Sequence, residues 1–284
     1  MKIPVLLSAL LSPAILSAET AVFTPVKDSD VYSFLSRPTS STFDLGVNNS
    51  PEGQGSHSQK SLVQFDISTL AIPGTEISSA RLCLFVLTPG STEGGGFRAG
   101  DLAVYKQAGA WGPITATYPN WNTIQPSGEA VTIHHVAASG EWIELDVTSA
   151  VHSWTSGAEA NHGFILQCVN DPAPAGETTN LLFASMELGQ AAVDNGLPEN
   201  QWYFPQLLIT RATPPPILSI ARDSGDILLT WPAATSEGWA LQQADSPAGP
   251  WEEPEISPTQ ASGVWQLRHP LSVAPRAFFR LRRD

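Results

Sequence analysis

The stretch "WIELDVTSAVHSW", Trp142 to Trp154, places an Asp, a His and two Trp close together. An imidazole beside a carboxylate titrates near neutrality, so Asp146 and His152 have the residue types for acid–base work. The same letters also read as a short strand followed at once by a turn of helix. On a helix starting at Val147, the side chains of Val147, Val151 and Trp154 share one face and can lie on a core as a lid. His152 then points away from that face, toward solvent.

A second copy of the pattern supports the architectural reading. "QFDISTLAIPG" from Gln64 and "ELDVTSAVHSW" from Glu144 both run apolar, Asp, aliphatic, Ser or Thr. Asp66 and Asp146 each close a strand where a turn begins, and a carboxylate there accepts bonds from unpaired backbone N–H groups. Asp146 is therefore expected to cap, with a cation as its other candidate partner. A structural Ca2+ would draw its oxygen ligands from Asp28, Asp30 and Asp146.

Other reactive arrangements are missing. His134 and His135 are adjacent in a strand-like run and face opposite sides, so they cannot chelate one metal from the same side. No zinc-type spacing and no G-x-S-x-G occur, and the glycine-rich "STEGGGFRAG" lacks the Lys that grips phosphate. No catalytic role is expected for any residue. Binding is the better fit: Trp111, Tyr118 and Trp121 crowd into a Pro- and Asn-rich segment, where ring faces can meet a pyranose. Arg37, Lys60, Arg98 and Lys106 lie in or beside predicted loops and could meet acid groups on a sugar.

Positioning such residues calls for strands. Short apolar alternations separated by Gly, Pro, Asn and Ser recur along the chain, as in an all-β sandwich. The clearest are "SLVQFDI", "SARLCLFVL", "LAVYK", "AVTIHHVA", "WIEL", "GFILQCV", "LLFAS" and "PQLLIT". In "SARLCLFVL" one face carries Ala80, Leu82, Leu84 and Val86. The other carries Arg81, Cys83, Phe85 and Leu87, apolar enough to predict a cover on that side too.

The chain of 284 residues, 42% hydrophobic, is long enough to bury a large core. Residues 1–18 place a Lys ahead of an apolar run too short to favour a membrane span and read as a secretory signal peptide, cut after Ala18 or after Ala14. No later stretch reads as a membrane span. A formal net charge of -13 with scattered bases disfavours nucleic acid, which needs a clustered basic face. Cys83 and Cys168 both fall in strands, leaving one disulfide or two buried thiols as open alternatives. The prolines of "ATPPPIL" mark a linker over 212–216 between a domain at 19–211 and a small Ig-like or fibronectin-III-like sandwich at 217–284.

Several of these segments together resemble the DNRLRE-domain family, also classed as carbohydrate-binding module family 96. The matching pieces are Asp30-Val31-Tyr32, "SLVQFDISTLAIPGTEISSARLCLFV", Trp111 with "TYPNWN", "WIELDVTSAVHSWTSG" before "HGFIL", and "FASMEL" before "PQLLIT". Two positions depart from the family pattern. "FDLG" replaces an Asn-aromatic-Gly turn, and Met186 replaces a base before Glu187. The resemblance implies a jelly-roll sandwich from a secreted bacterial protein that binds polysaccharide without catalysis. Acidic glycans such as alginate are the leading ligand class. The alternatives are a structural or adhesive protein of the cell surface or matrix with protein partners, and a polysaccharide lyase or glycosidase.

Overall fold

The computed structural model describes residues 20–33, 42–49, 51, 58–70, 76–88, 96–113, 116, 121, 124–174, 177–212, 215–223, 225–270 and 277–283. The expected signal peptide lies outside them. The chain divides into two compact units, one spanning Thr20–Ala212 and the other carried by the chain from Thr213 onward. Both are built from antiparallel strands, giving an all-β fold. No helix among the described residues is long and apolar enough to cross a membrane.

In the larger unit, β1 (Thr20–Phe23) pairs with β11 (Gln206–Arg211), β11 with β5 (Ile77–Phe85), and β5 with β8 (Trp142–Asp146), forming a four-stranded sheet. The facing sheet runs in the order β10 (Asn180–Ala184), β3 (Asp44–Asn48), β4 (Gln59–Phe65), β9 (Phe164–Cys168), β6 (Gly100–Lys106) and β7 (Thr132–Val136). A further strand, β2 (Pro25–Tyr32), pairs with β4. The core between them holds Leu82, Leu84, Leu145 and Ile209 from the smaller sheet and Val63, Phe164, Leu166 and Phe183 from the larger one. Side-chain period two explains the split: in β8 the exposed Trp142, Glu144 and Asp146 alternate with the buried Ile143 and Leu145.

Helix α1 (Thr148–Thr155) follows β8 at once and buries Ala150, Val151 and Trp154, with the Trp154 ring 4.8 Å from that of Phe164. This is the lid that the apolar spacing predicts, and His152 is exposed, as expected. The Asp chemistry repeats in both copies. Asp66 Oδ1 accepts the Ser68 N–H at 2.9 Å, and Asp146 Oδ1 accepts the Thr148 N–H at 2.9 Å and its hydroxyl at 2.6 Å. The helix cap itself is Val147, so Asp146 acts from one residue before it, in an Asx turn. These hydrogen bonds hold both carboxyls below the usual carboxylate range.

Strands β2 and β3 escape a reading by apolar alternation, as does a second helix, α2 (Met186–Asp194), capped by Ser185 through the Leu188 N–H at 3.3 Å. "FDLG" is not a turn here but leads into β3, and a Cβ on Gly46 would collide with the Gln59 side chain.

Both cysteines are free and buried. Cys168 lies in the core between the sheets, whereas Cys83 alternates with the core residues Leu82 and Leu84 and sits on the outer side of its sheet. Their Cβ vectors therefore serve different layers, and burial pushes the thiols up to about 11 for Cys83 and about 12 for Cys168. Native protein treated with a thiol reagent at neutral pH is expected to keep both cysteines unlabelled by mass spectrometry, and a reductant should leave Tm unchanged.

In the smaller unit, β12 (Ser219–Asp223), β13 (Asp226–Pro232), β16 (Val264–Pro270) and β15 (Thr259–Ala261) form one sheet in that order. β14 (Trp239–Ala244) pairs with β17 (Phe278–Arg283) in the other. Leu229, Trp231, Leu241 and Leu267 make its core.

Candidate functional site

The outer side of β5 is covered, as its apolar letters predict. Phe85 stacks on Tyr203 with ring centroids 4.0 Å apart, and Trp142 meets Phe85 edge-on at 5.6 Å. Cross-strand register sets Phe85 opposite Trp142, while Tyr203 arrives from the segment after α2 and its 3-10 turn Glu199–Gln201. Beneath these rings Leu87, Leu182 and Ala184 are buried, and Leu188 of α2 packs with them. The result is a platform rather than a plug: Trp142 stays 40% exposed.

Polar groups share this face. Arg81 and Glu144, diagonal neighbours farther along the same two strands, with Glu144 opposite Cys83 and Arg81 opposite Asp146, form an ion pair at 2.6 Å with both side chains about half exposed. Such a pair contributes little to stability because water screens it, which leaves Arg81 donors available to a ligand. An exposed indole on the same sheet face as a carboxylate and the guanidinium paired with it can hold the apolar face of a pyranose and bond to its hydroxyls.

The aromatic and basic residues singled out in the sequence are dispersed. Trp111 is buried to 9% exposure, its Nε1 donating to the His162 carbonyl at 2.8 Å, and with Val31, Leu62 and Ile165 it forms a layer over the outer side of the larger sheet. Trp121 packs on the same layer. Lys60 does not belong to a loop. It lies in β4, 3% exposed, over the Trp121 ring at 4.1 Å, and donates to the carbonyls of Trp121 at 3.1 Å and Ile124 at 2.6 Å. Burial pushes its pKa down to about 8. Lys106 ends β6 and pairs with Glu159, while Arg98 donates to the Thr178 hydroxyl. Arg37 and Tyr118 lie outside the described residues. The described bases thus do not gather into one anion site.

The three candidate calcium ligands also stay apart. Asp28 and Asp30 belong to β2 in the larger sheet, whereas Asp146 ends β8 in the smaller one, committed to Thr148. Asp28 Oδ2 accepts the Met186 N–H at 2.7 Å, and the Gln59 amide donates to Asp30. Among the described residues, no group of three or more His, Cys, Asp or Glu could hold a metal ion. These carboxylates therefore do not fit one calcium site.

Sequence alone places Trp142 in the strand "WIEL" and gives Tyr203 no role. The signals available were the outward phase of Trp142 in "WIELD" and the aromatic run Trp202, Tyr203 and Phe204. Comparison with known families adds one match: the model of carbohydrate-binding module family 96 covers residues 19–193. No curated protein matches the chain.

Proposed function

The chain belongs to carbohydrate-binding module family 96, and from that premise we propose that it is a secreted, non-catalytic module that holds a polysaccharide on the outer face of its smaller sheet. The observation that carries this reading is the exposed Trp142 ring, braced by Phe85 and Tyr203. A sheet face suits a chain of sugars better than a single one, because successive residues can lie along the strand direction. The apolar residues 1–18 support secretion.

Acidic glycans such as alginate are the ligand we put first, on the strength of Arg81 alone. Its guanidinium can trade the Glu144 carboxylate for that of a uronate without leaving the face. Gel retardation of the full chain in alginate, pectin and a neutral glucan tests both parts. Trp142→Ala is expected to weaken retention roughly tenfold for whichever polymer binds. Arg81→Gln should weaken only the acidic polymers. Equal retention in neutral glucan, indifferent to Arg81→Gln, would remove the acid preference, and no retention in any gel would remove the glycan reading on this face.

A further inference from the structure

The small C-terminal unit lies beyond the matched residues 19–193 and contains a cleft of about 590 Å3. Its origin is a mismatch of layers. A four-stranded sheet is faced by only two strands, so part of its inner face is left uncovered. Register fixes what is shown there: Trp231 of β13 pairs with Trp265 of β16, and Trp265 with Gln260 of β15, which puts all three side chains in one row on one face. Trp239, at the start of β14, lines the cleft from the facing sheet, and Glu237 and Glu253 reach it from loops.

Trp239 and Trp265 are both half-buried, and Trp265 packs against the core. Trp231 is 3% exposed, and its Nε1 is buried without an acceptor. Both charged lining residues are acidic, and no Lys or Arg lines the cleft among the described residues. Ionised carboxylates accept hydrogen bonds and cannot donate them. A uronate or sulfate would be repelled by these two carboxylates. A ligand rich in hydroxyl or ammonium donors, with an apolar ring face, matches both the rings and the rim. The volume lies within the roughly 300–1,000 Å3 usual for small-ligand sites.

We propose that this cleft is a second carbohydrate site, taking a pyranose without acid groups, either a neutral or an amino sugar. It uses different residues from the Trp142 face and stands or falls separately from it. The two sugar types share hydroxyl donors and ring stacking, and differ in the ammonium that Glu237 and Glu253 would meet.

Tryptophan fluorescence and calorimetry on the full chain, titrated with a cello-oligosaccharide, a deacetylated chito-oligosaccharide and an oligogalacturonate, test the assignment. Binding of one or both non-acidic oligomers is expected, weakened roughly tenfold or more by Trp239→Ala and partly restored by Trp239→Phe. Glu253→Gln, an exposed change that spares the core, should weaken the chito-oligosaccharide more than the cello-oligosaccharide if the amino sugar is the ligand, and both alike if it is not. Trp142→Ala should leave these titrations unchanged, and Trp239→Ala should leave retention in alginate unchanged. The proposal is overturned if neither non-acidic oligomer binds at millimolar sugar or if binding survives Trp239→Ala. It is equally overturned if the Trp239 change instead abolishes binding of a proline-rich peptide or self-association.

Discussion

Gly163→Ala is expected to destabilise the larger sandwich by roughly 2–5 kcal/mol, the sum of a left-handed backbone cost and an overpacking cost. Gly163 enters β9 with φ +84, where a side chain strains the backbone. A Cβ there would also collide with the Val63 carbonyl and stand 2.9 Å from the Gln64 Cα, both in the neighbouring strand β4. Backbone atoms inside a sheet cannot yield as a flexible side chain does. The turn is further tied down: the Gly163 N–H donates to Asn161 Oδ1 at 3.0 Å, its carbonyl accepts the Gln107 N–H at 2.9 Å, and the preceding carbonyl holds the Trp111 indole. Gly128 offers the control, because it has φ +85 and nothing within 4 Å of a built Cβ. Gly128→Ala should cost only the backbone share, roughly 1–2 kcal/mol. Urea unfolding of the two variants separates the contributions, and equal losses would show that the approach of β4 is unimportant.

What could be read in the sequence follows from how local each cause is. The phase of β5 and β8, the lid face of α1 and the paired Asp turns all depend on neighbours within a few positions, so periodicity and turn chemistry reveal them. β2 was hidden because "PVKDSDVY" is mostly polar, and its inward Asp28 and Asp30 are paid for by partners far along the chain, Met186 and Gln59. β3, "DLGVN", is written in turn-type letters, and its Gly46 leaves the space that the Gln59 amide fills. In α2 the cap Ser185 also closes the apolar run "LLFAS", so the letters alone read as the end of a strand.

The site was less legible than the fold for a related reason. Alternation tells which residues share a face, yet it cannot tell whether another layer covers that face. Lys60, Leu62 and Gln64 form one such face, and the layer containing Trp111 and Ile124 closes over it and buries Lys60. Trp142 has the same outward phase in β8, and there the cover stops at Phe85 and Tyr203 and leaves the indole in solvent. Exposure of an aromatic ring is a property of the third layer, which no single strand encodes.

Asp28→Asn is expected to raise stability above pH 8 by roughly 2–4 kcal/mol while changing little near pH 4. Asp28 is 2% exposed and faces the Glu187 carboxyl of α2. Burial first, and then the Glu187 carboxylate on α2, push its pKa from 3.8 to about 8, with the Met186 N–H opposing and Asp30 adding to the rise. The folded carboxyl thus keeps its proton at pH values where the unfolded chain has released it. Its contribution to stability is complete below pH 3.8, declines as pH rises toward 8, and is gone above that. Asparagine cannot ionise and keeps a carbonyl oxygen for the Met186 N–H, so the variant should lack this decline. Urea midpoints between pH 4 and 9 provide the measurement, and parallel curves for the two proteins would refute the assignment. The effect should reach the Trp142 face, because α2 carries Glu187 against Asp28 and Leu188 against the packing under Phe85 and Tyr203. Ionising Asp28 sets two carboxylates against each other across the contact that seats this helix. An alkaline loss of glycan retention that vanishes in Asp28→Asn therefore belongs to the seat of the platform, whereas a loss that persists belongs to groups on the face itself.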